Sequence, residues 1–349
     1  MISWELAERV AGGLGGEGGG DTSLPGDLAA LGREAEQAVV SYTRLTPKSA
    51  LPPAESVGRD EWSRSNVRLL RATIAPLEER MDGGSSAAPG PLRAVAGGLL
   101  GAQVGGLVGY MSRRVLGQYE VAMAMELPAE PRLLLVAPNL RELAGTIDAP
   151  LADLLAWVTV HEVTHAVQFS SVEWLRPHLA GLLGELLAST EISVDAASLQ
   201  IPTLDDARAL WDRTRNGGLV GAVAGPERAQ LLERVQCAMA VIEGHAEHVM
   251  DAAGAPLVPQ LGRLREALEA RRTERTPLAA LLERLLGLEL KLRQYRDGKR
   301  FCDAVVERAG ITGLNRAFAD PRLLPTAAEL ASPGDWIART RPRELPAAS

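Results

Sequence analysis

Two of the five histidines in this 349-residue chain stand four positions apart, in His161-Glu162-Val163-Thr164-His165. On an α-helix, positions i and i+4 lie one above the other on the same face, so two imidazole nitrogens can reach one tetrahedral cation. A zinc ion held this way makes a bound water acidic, which is chemistry suited to hydrolysing amide bonds. Glu162, one position on, leans over the same metal without ligating it. It is placed to take a proton from that water and return it to a leaving amine. The alternative, two satisfied core histidines, requires a partner for each ring on an apolar helix. The H-E-x-x-H spacing therefore predicts Zn2+ on His161 and His165, with Glu162 as general base.

A catalytic zinc takes three protein ligands and leaves one position for water. The third is expected in Ile242-Glu243-Gly244-His245-Ala246-Glu247-His248. An apolar stripe of Leu232, Val235, Met239, Ile242, Ala246 and Met250 runs along that segment, and helical phase puts Glu243 and Glu247 beside it. His245 lies about 200° round from Glu243. Glu243 is thus the predicted third ligand, and Glu247, one turn on, is placed to orient a ligating imidazole through its other ring nitrogen. The opposing reading, two solvated carboxylates, conflicts with their apolar neighbours, and burial without a cation is costly. Tyr119, His245 and Tyr295 are candidates for oxyanion stabilisation or substrate contact, each also readable as a packed tyrosine or a water-facing histidine.

These residues need helices to hold them. Asp148 is a good N-cap and Pro150 is tolerated in a first turn. Leu154, Val158, His161, His165 and Phe169 then share one face, so the motif is expected on a helix starting at Asp148. A partner helix follows Gly225-Pro226 and ends at Gly254 and Pro256, and a third long helical stretch is expected over residues 278–310. Upstream, residues 59–81 carry apolar positions at helical spacing. Residues 119–126 and 132–136 are short β-prone runs that predict a hairpin or two edge strands. Residues 12–20 hold enough glycines to mimic a phosphate loop, but no strand precedes them and no lysine-bearing helix follows, so they read as a flexible linker. The expected fold is mainly α (α+β), a helical bundle with a small hairpin or sheet. Residues 1–90 would form a helical flank and residues 91–349 the catalytic domain.

Composition bounds the function. With 46% hydrophobic and 23% charged residues the chain can bury a large core, and its net charge of −7 is spread over both signs, which argues against nucleic acid as a partner. Cys237 and Cys302 lie far apart with no metal-type spacing, which fits a reducing cytoplasm, and the N-terminus shows no export signal. Residues 94–111 are nearly long enough and apolar enough to span a bilayer. Gly97, Gly98, Gly101, Gly105, Gly106 and Gly109 instead suit close helix packing, and no aromatic belt follows. A buried helix is expected, with a membrane-anchored protease as the alternative.

The chain also resembles a known family. The residues that carry the resemblance are Leu99-Leu100-Gly101-Ala102-Gln103-Val104-Gly105, Leu116-Gly117-Gln118-Tyr119-Glu120, residues 161–169, Glu243-Gly244-His245 with Val249-Met250-Asp251, and Lys291-Leu292-Arg293-Gln294-Tyr295-Arg296-Asp297-Gly298. Together they are similar to the zinc-dependent, metalloprotease-like proteins of actinobacteria and their relatives, often labelled as associated with deazaflavin coenzyme biosynthesis. The resemblance implies a mainly helical zincin-like fold with a zinc site and leaves the substrate open. The expected protein is a gluzincin-type zinc hydrolase acting on a peptide or a small amide. The rival is an inactive zincin that keeps its metal as a structural or binding scaffold. Retention of Glu162 favours the enzyme, because a structural zinc has no use for a base.

Overall fold

The computed structural model describes residues 2–16, 21–82, 90–120, 130–189, 226–273 and 288–341. Backbone contacts divide the chain into two units, Met1–Pro177 with Val249–Arg271, and His178–His248 with Arg272–Ser349.

The first unit is built on a three-stranded sheet of order β1-β3-β2, formed by β1 (Ala54–Val57), β2 (Gly117–Glu120) and β3 (Arg132–Val136). β1 pairs with β3 in parallel, from Ala54 opposite Leu133 to Val57 opposite Val136. β2 runs antiparallel to β3, with Gly117 opposite Leu135 and Glu120 opposite Arg132. The run Leu133-Leu134-Leu135-Val136 is apolar without alternation because β3 is central and covered on both faces. Leu133 and Leu135 point into one core with α2 (Leu28–Thr43), α5 (Ala137–Thr146) and α6 (Leu151–Ser171). Leu134 and Val136 point into another with α1 (Trp4–Gly15), α3 (Arg59–Asp82) and α4 (Gly90–Ser112). Of the run expected over 119–126, residues 121–126 lie outside the described residues; β2 covers its first two residues and pairs antiparallel with β3, which is central and no edge strand. β1 escapes a reading by pattern because it is only four residues long and carries Glu55 and Ser56 at its centre.

Three further expectations change. Asp148 does not cap the motif helix: it adopts φ +50° in the turn after α5, and the cap position is Pro150. A residue before proline is disfavoured in the helical region, so Ala149 cannot be helical and α6 starts beyond Pro150. The glycine run read as a linker begins inside α1, which includes Gly12, Gly13 and Gly15. Residues 17–20 of that run lie outside the described residues. The apolar helix α4 is buried on one face only. Its Gly101 and Gly105 meet the backbone of Ser3 and Ala7, and its Gly109 meets the Leu14 side chain, so closely that a β-carbon would collide. On the other side Val95 (71% exposed) and Leu99 (61%) face outward.

In the second unit α8 (Pro226–Gly254) crosses α10 (Leu288–Leu314) at paired glycines. A β-carbon on Gly244 would overlap the carbonyl of Gly298, and one on Gly298 would overlap the carbonyl of Ala240. Beyond the bend at Gly310 (φ +69°), two short 3-10 turns lead to α11 (Ala327–Ala331) and α12 (Pro333–Thr340), whose fully buried Trp336 stacks edge-on against Phe301. α7 (Leu175–Ala188) precedes residues 190–225, which lie outside the described residues, as do residues 274–287 at the start of the third predicted helix.

Candidate metal centre

α6 presents His161 and His165 on one face, both half-buried, with Val158, Val160, Val163 and Val167 of the same helix packed into the core. The two Nε2 atoms are 3.2 Å apart, with the rings edge to face at 89°. Two nitrogens each at a normal zinc bond length in a tetrahedral shell lie about 3.3 Å apart, so the pair is already spaced for one cation. His165 Nδ1 lies 2.9 Å from Gln168 Oε1. Nδ1 is then the donor, and Nε2 is left as the nitrogen with a lone pair to offer.

Glu243, the carboxylate that the motif would need as a third ligand, belongs to the second unit, where it is half-buried. Glu243 is carried by α8, which runs unbroken to Val249, Met250 and Ala253. Those residues pack in the same core as Val160, Val163 and Val167 of α6. The donor set of two neutral imidazoles and one carboxylate is one that zinc accepts, so these residues fit the ion that the motif implies.

Glu162 is almost fully buried, with 7% of its surface exposed. Its Oε2 accepts a hydrogen bond from the backbone N–H of Tyr119, at 2.7 Å. β2 is an edge strand, so this outward amide is available to the helix rather than to a neighbouring strand. Gly117 lets the two elements close: a β-carbon there would stand 2.7 Å from Val158 Cγ1 and 2.8 Å from Glu162 Cγ. Sequence reasoning missed both contacts. Nor did it assign Gln168, whose only signal was a polar residue on a helix face otherwise given to core.

The remaining candidates are distributed as follows. The Tyr119 ring lies 6.1 Å from that of Phe169, and burial pushes its phenol up to about 12 against the opposing charge of Arg176, so it stays protonated and able to donate near neutral pH. His245 is fully buried, with its ring edge-on to Phe318 at 4.9 Å. Glu247 is half-buried, and its charge adds to burial and Asp303 in pushing the Cys302 thiol up. Tyr295 belongs to α10, but its side chain lies outside the described residues. An unpredicted neighbour is His248, whose Nδ1 lies 2.6 Å from Asp303 Oδ1 while Lys299 Nζ donates to Oδ2 at 2.6 Å.

A short sheet, a helix carrying two histidines and a glutamate, and a second helix carrying a further glutamate define a zincin-like protein. The zincin-like metallopeptidase family matches residues 2–337, and the chain belongs to it. Among solved structures it is similar to one from Chloroflexus aurantiacus described as "a putative hydrolase with a novel fold". The two share 28% identity with a TM-score of 0.72, over 99% of this chain and 100% of that one. Among curated proteins none matches.

Proposed function

We propose that the protein is a zinc-dependent hydrolase of peptide or small amide bonds. The observation that carries this reading is the His161–His165 nitrogen pair at 3.2 Å with a buried carboxylate, Glu162, next to it in sequence. His161, His165 and Glu243 would hold the ion, which supplies Lewis acidity and an acidified water. Glu162 receives the proton of the attacking water and delivers it to the leaving amine. The Tyr119 N–H fixes one carboxylate oxygen and leaves Oε1 to carry the proton. The protonated Tyr119 phenol is a donor within the same strand and suits a developing oxyanion. Free, buried Cys237 and Cys302 support a reducing, cytoplasmic setting. The deazaflavin association of the resembled proteins adds no substrate to this reading.

A second reading is a metal-bearing scaffold without turnover, in which the Tyr119 N–H holds Glu162 as part of the fold. One experiment separates the two. Purified protein should contain about one zinc per chain, and His161→Ala or His165→Ala should lose most of it. Glu162→Gln should keep the zinc while any peptidase or amidase activity falls by about 10²- to 10⁴-fold. Near-normal turnover in Glu162→Gln removes its role as base. Zinc retained in the double histidine variant removes the site. A wild-type protein that binds zinc but cleaves nothing in a broad peptide and amide library supports the scaffold.

A further inference from the structure

We propose that Gln168 sets which nitrogen of His165 is offered to the metal, an inference that rests on the zinc reading above. A neutral imidazole carries one N–H and one bare nitrogen, and the hydrogen bond made by one fixes the other. His165 Nδ1 faces an amide oxygen, Gln168 Oε1, at 2.9 Å, and that oxygen can only accept. The proton is therefore on Nδ1, and the bare nitrogen is the one that stands 3.2 Å from His161 Nε2.

The position of Gln168 makes this hold firm. Its side chain has no exposed surface, and its neighbours Ala166 and Val167 are equally buried, so the amide cannot turn to water. Losing the bond would leave a buried polar group unsatisfied. Gln168 follows His165 by three residues on α6, so one helix makes the contact and no other element has to move for it. Metal-bound imidazoles commonly lean on a carboxylate or a backbone carbonyl. A neutral amide gives the same orientation without adding a charge where Glu162 and Glu243 already supply two. Gln168 touches a ligand and not the reacting atoms, so it is a positioning residue.

Gln168→Leu removes the acceptor at similar size, and Gln168→Glu keeps it. In the full-length protein, competition with a chromophoric chelator should show zinc binding about 10- to 100-fold weaker in Gln168→Leu. Gln168→Glu should stay within a few-fold of wild type. In metal-free protein, nitrogen NMR of His165 should report Nδ1–H in wild type and Gln168→Glu. That preference should be lost in Gln168→Leu. A purely packing role would lower the unfolding temperature without moving the tautomer. Three results overturn the proposal: a wild-type His165 protonated on Nε2, a Gln168→Leu protein with unchanged zinc affinity and tautomer, or an equal loss in Gln168→Glu. If wild type binds no zinc, the zinc reading falls separately and the tautomer measurement alone decides the part played by Gln168.

Discussion

Helical phase separates the two residues of Glu243-Gly244-His245 that are chemically able to bind a metal. Glu243 is the carboxylate proposed as third ligand, whereas His245 is turned into the core against Phe318. Glu243→Ala should therefore weaken zinc binding far more than His245→Ala. His245→Ala should instead cost roughly 2–5 kcal/mol of stability through the cavity it leaves. Zinc titration and chemical denaturation of both variants read the two effects apart, and a His245→Ala protein stripped of metal beside an intact Glu243→Ala protein would reverse the assignment. His161 and His165 stood out as candidate ligands because chelation from one helix demands a spacing, and spacing is written in sequence. Gln168 did not, since a buried amide and a solvated one are the same letter until the fold decides. Its i+3 offset from His165 gains meaning only once the facing side of α6 is known to be sealed.

Elements meet in this protein where side chains are missing. α8 and α10 touch backbone to backbone at Gly244 and Gly298, and neither helix can carry a β-carbon there without moving the other. Gly298→Ala should destabilise the protein by about 1–3 kcal/mol or more, as overpacking does. Gly13→Ala, on α1 with open space around it, should be neutral or stabilising by up to about 1 kcal/mol, since alanine is the better helix former. Equal denaturation midpoints for the two variants would contradict the close crossing. α3, α6 and α8 were legible from their periodicity, α8 from Pro226 to Gly254. Their starts and contacts were less so. Asp148 looked like a cap until Pro150 displaced the helix start, and β1 was too short and polar to show alternation.

Across the whole molecule the apolar helix raises the question of surroundings. α4 is the one described helix long and apolar enough to cross a membrane, and only 28% of its apolar window is buried. Its glycine face is already occupied by α1, which carries Glu5, Glu8 and Arg9. Spanning a bilayer would take α1 and those charges into hydrocarbon as well, a cost of several kcal/mol. The full chain expressed without detergent should therefore remain in the supernatant after high-speed centrifugation. Quantitative recovery in washed membranes would show that α1 gives way to lipid. The sequence displayed the apolar run and its glycines, but not that the two faces of the helix have different fates. That difference depends on which neighbour claims the glycines.

The missing side chain at Gly117 also has a thermodynamic side. A glutamate free in a cleft samples many rotamers and must give up about 1.5–2 kcal/mol of side-chain entropy each time it is brought to bear on a reaction. Here the strand at Gly117 and the Tyr119 N–H confine Glu162. In the proposed hydrolase that loss of freedom would be met once, when the chain folds, and not again at each encounter with substrate.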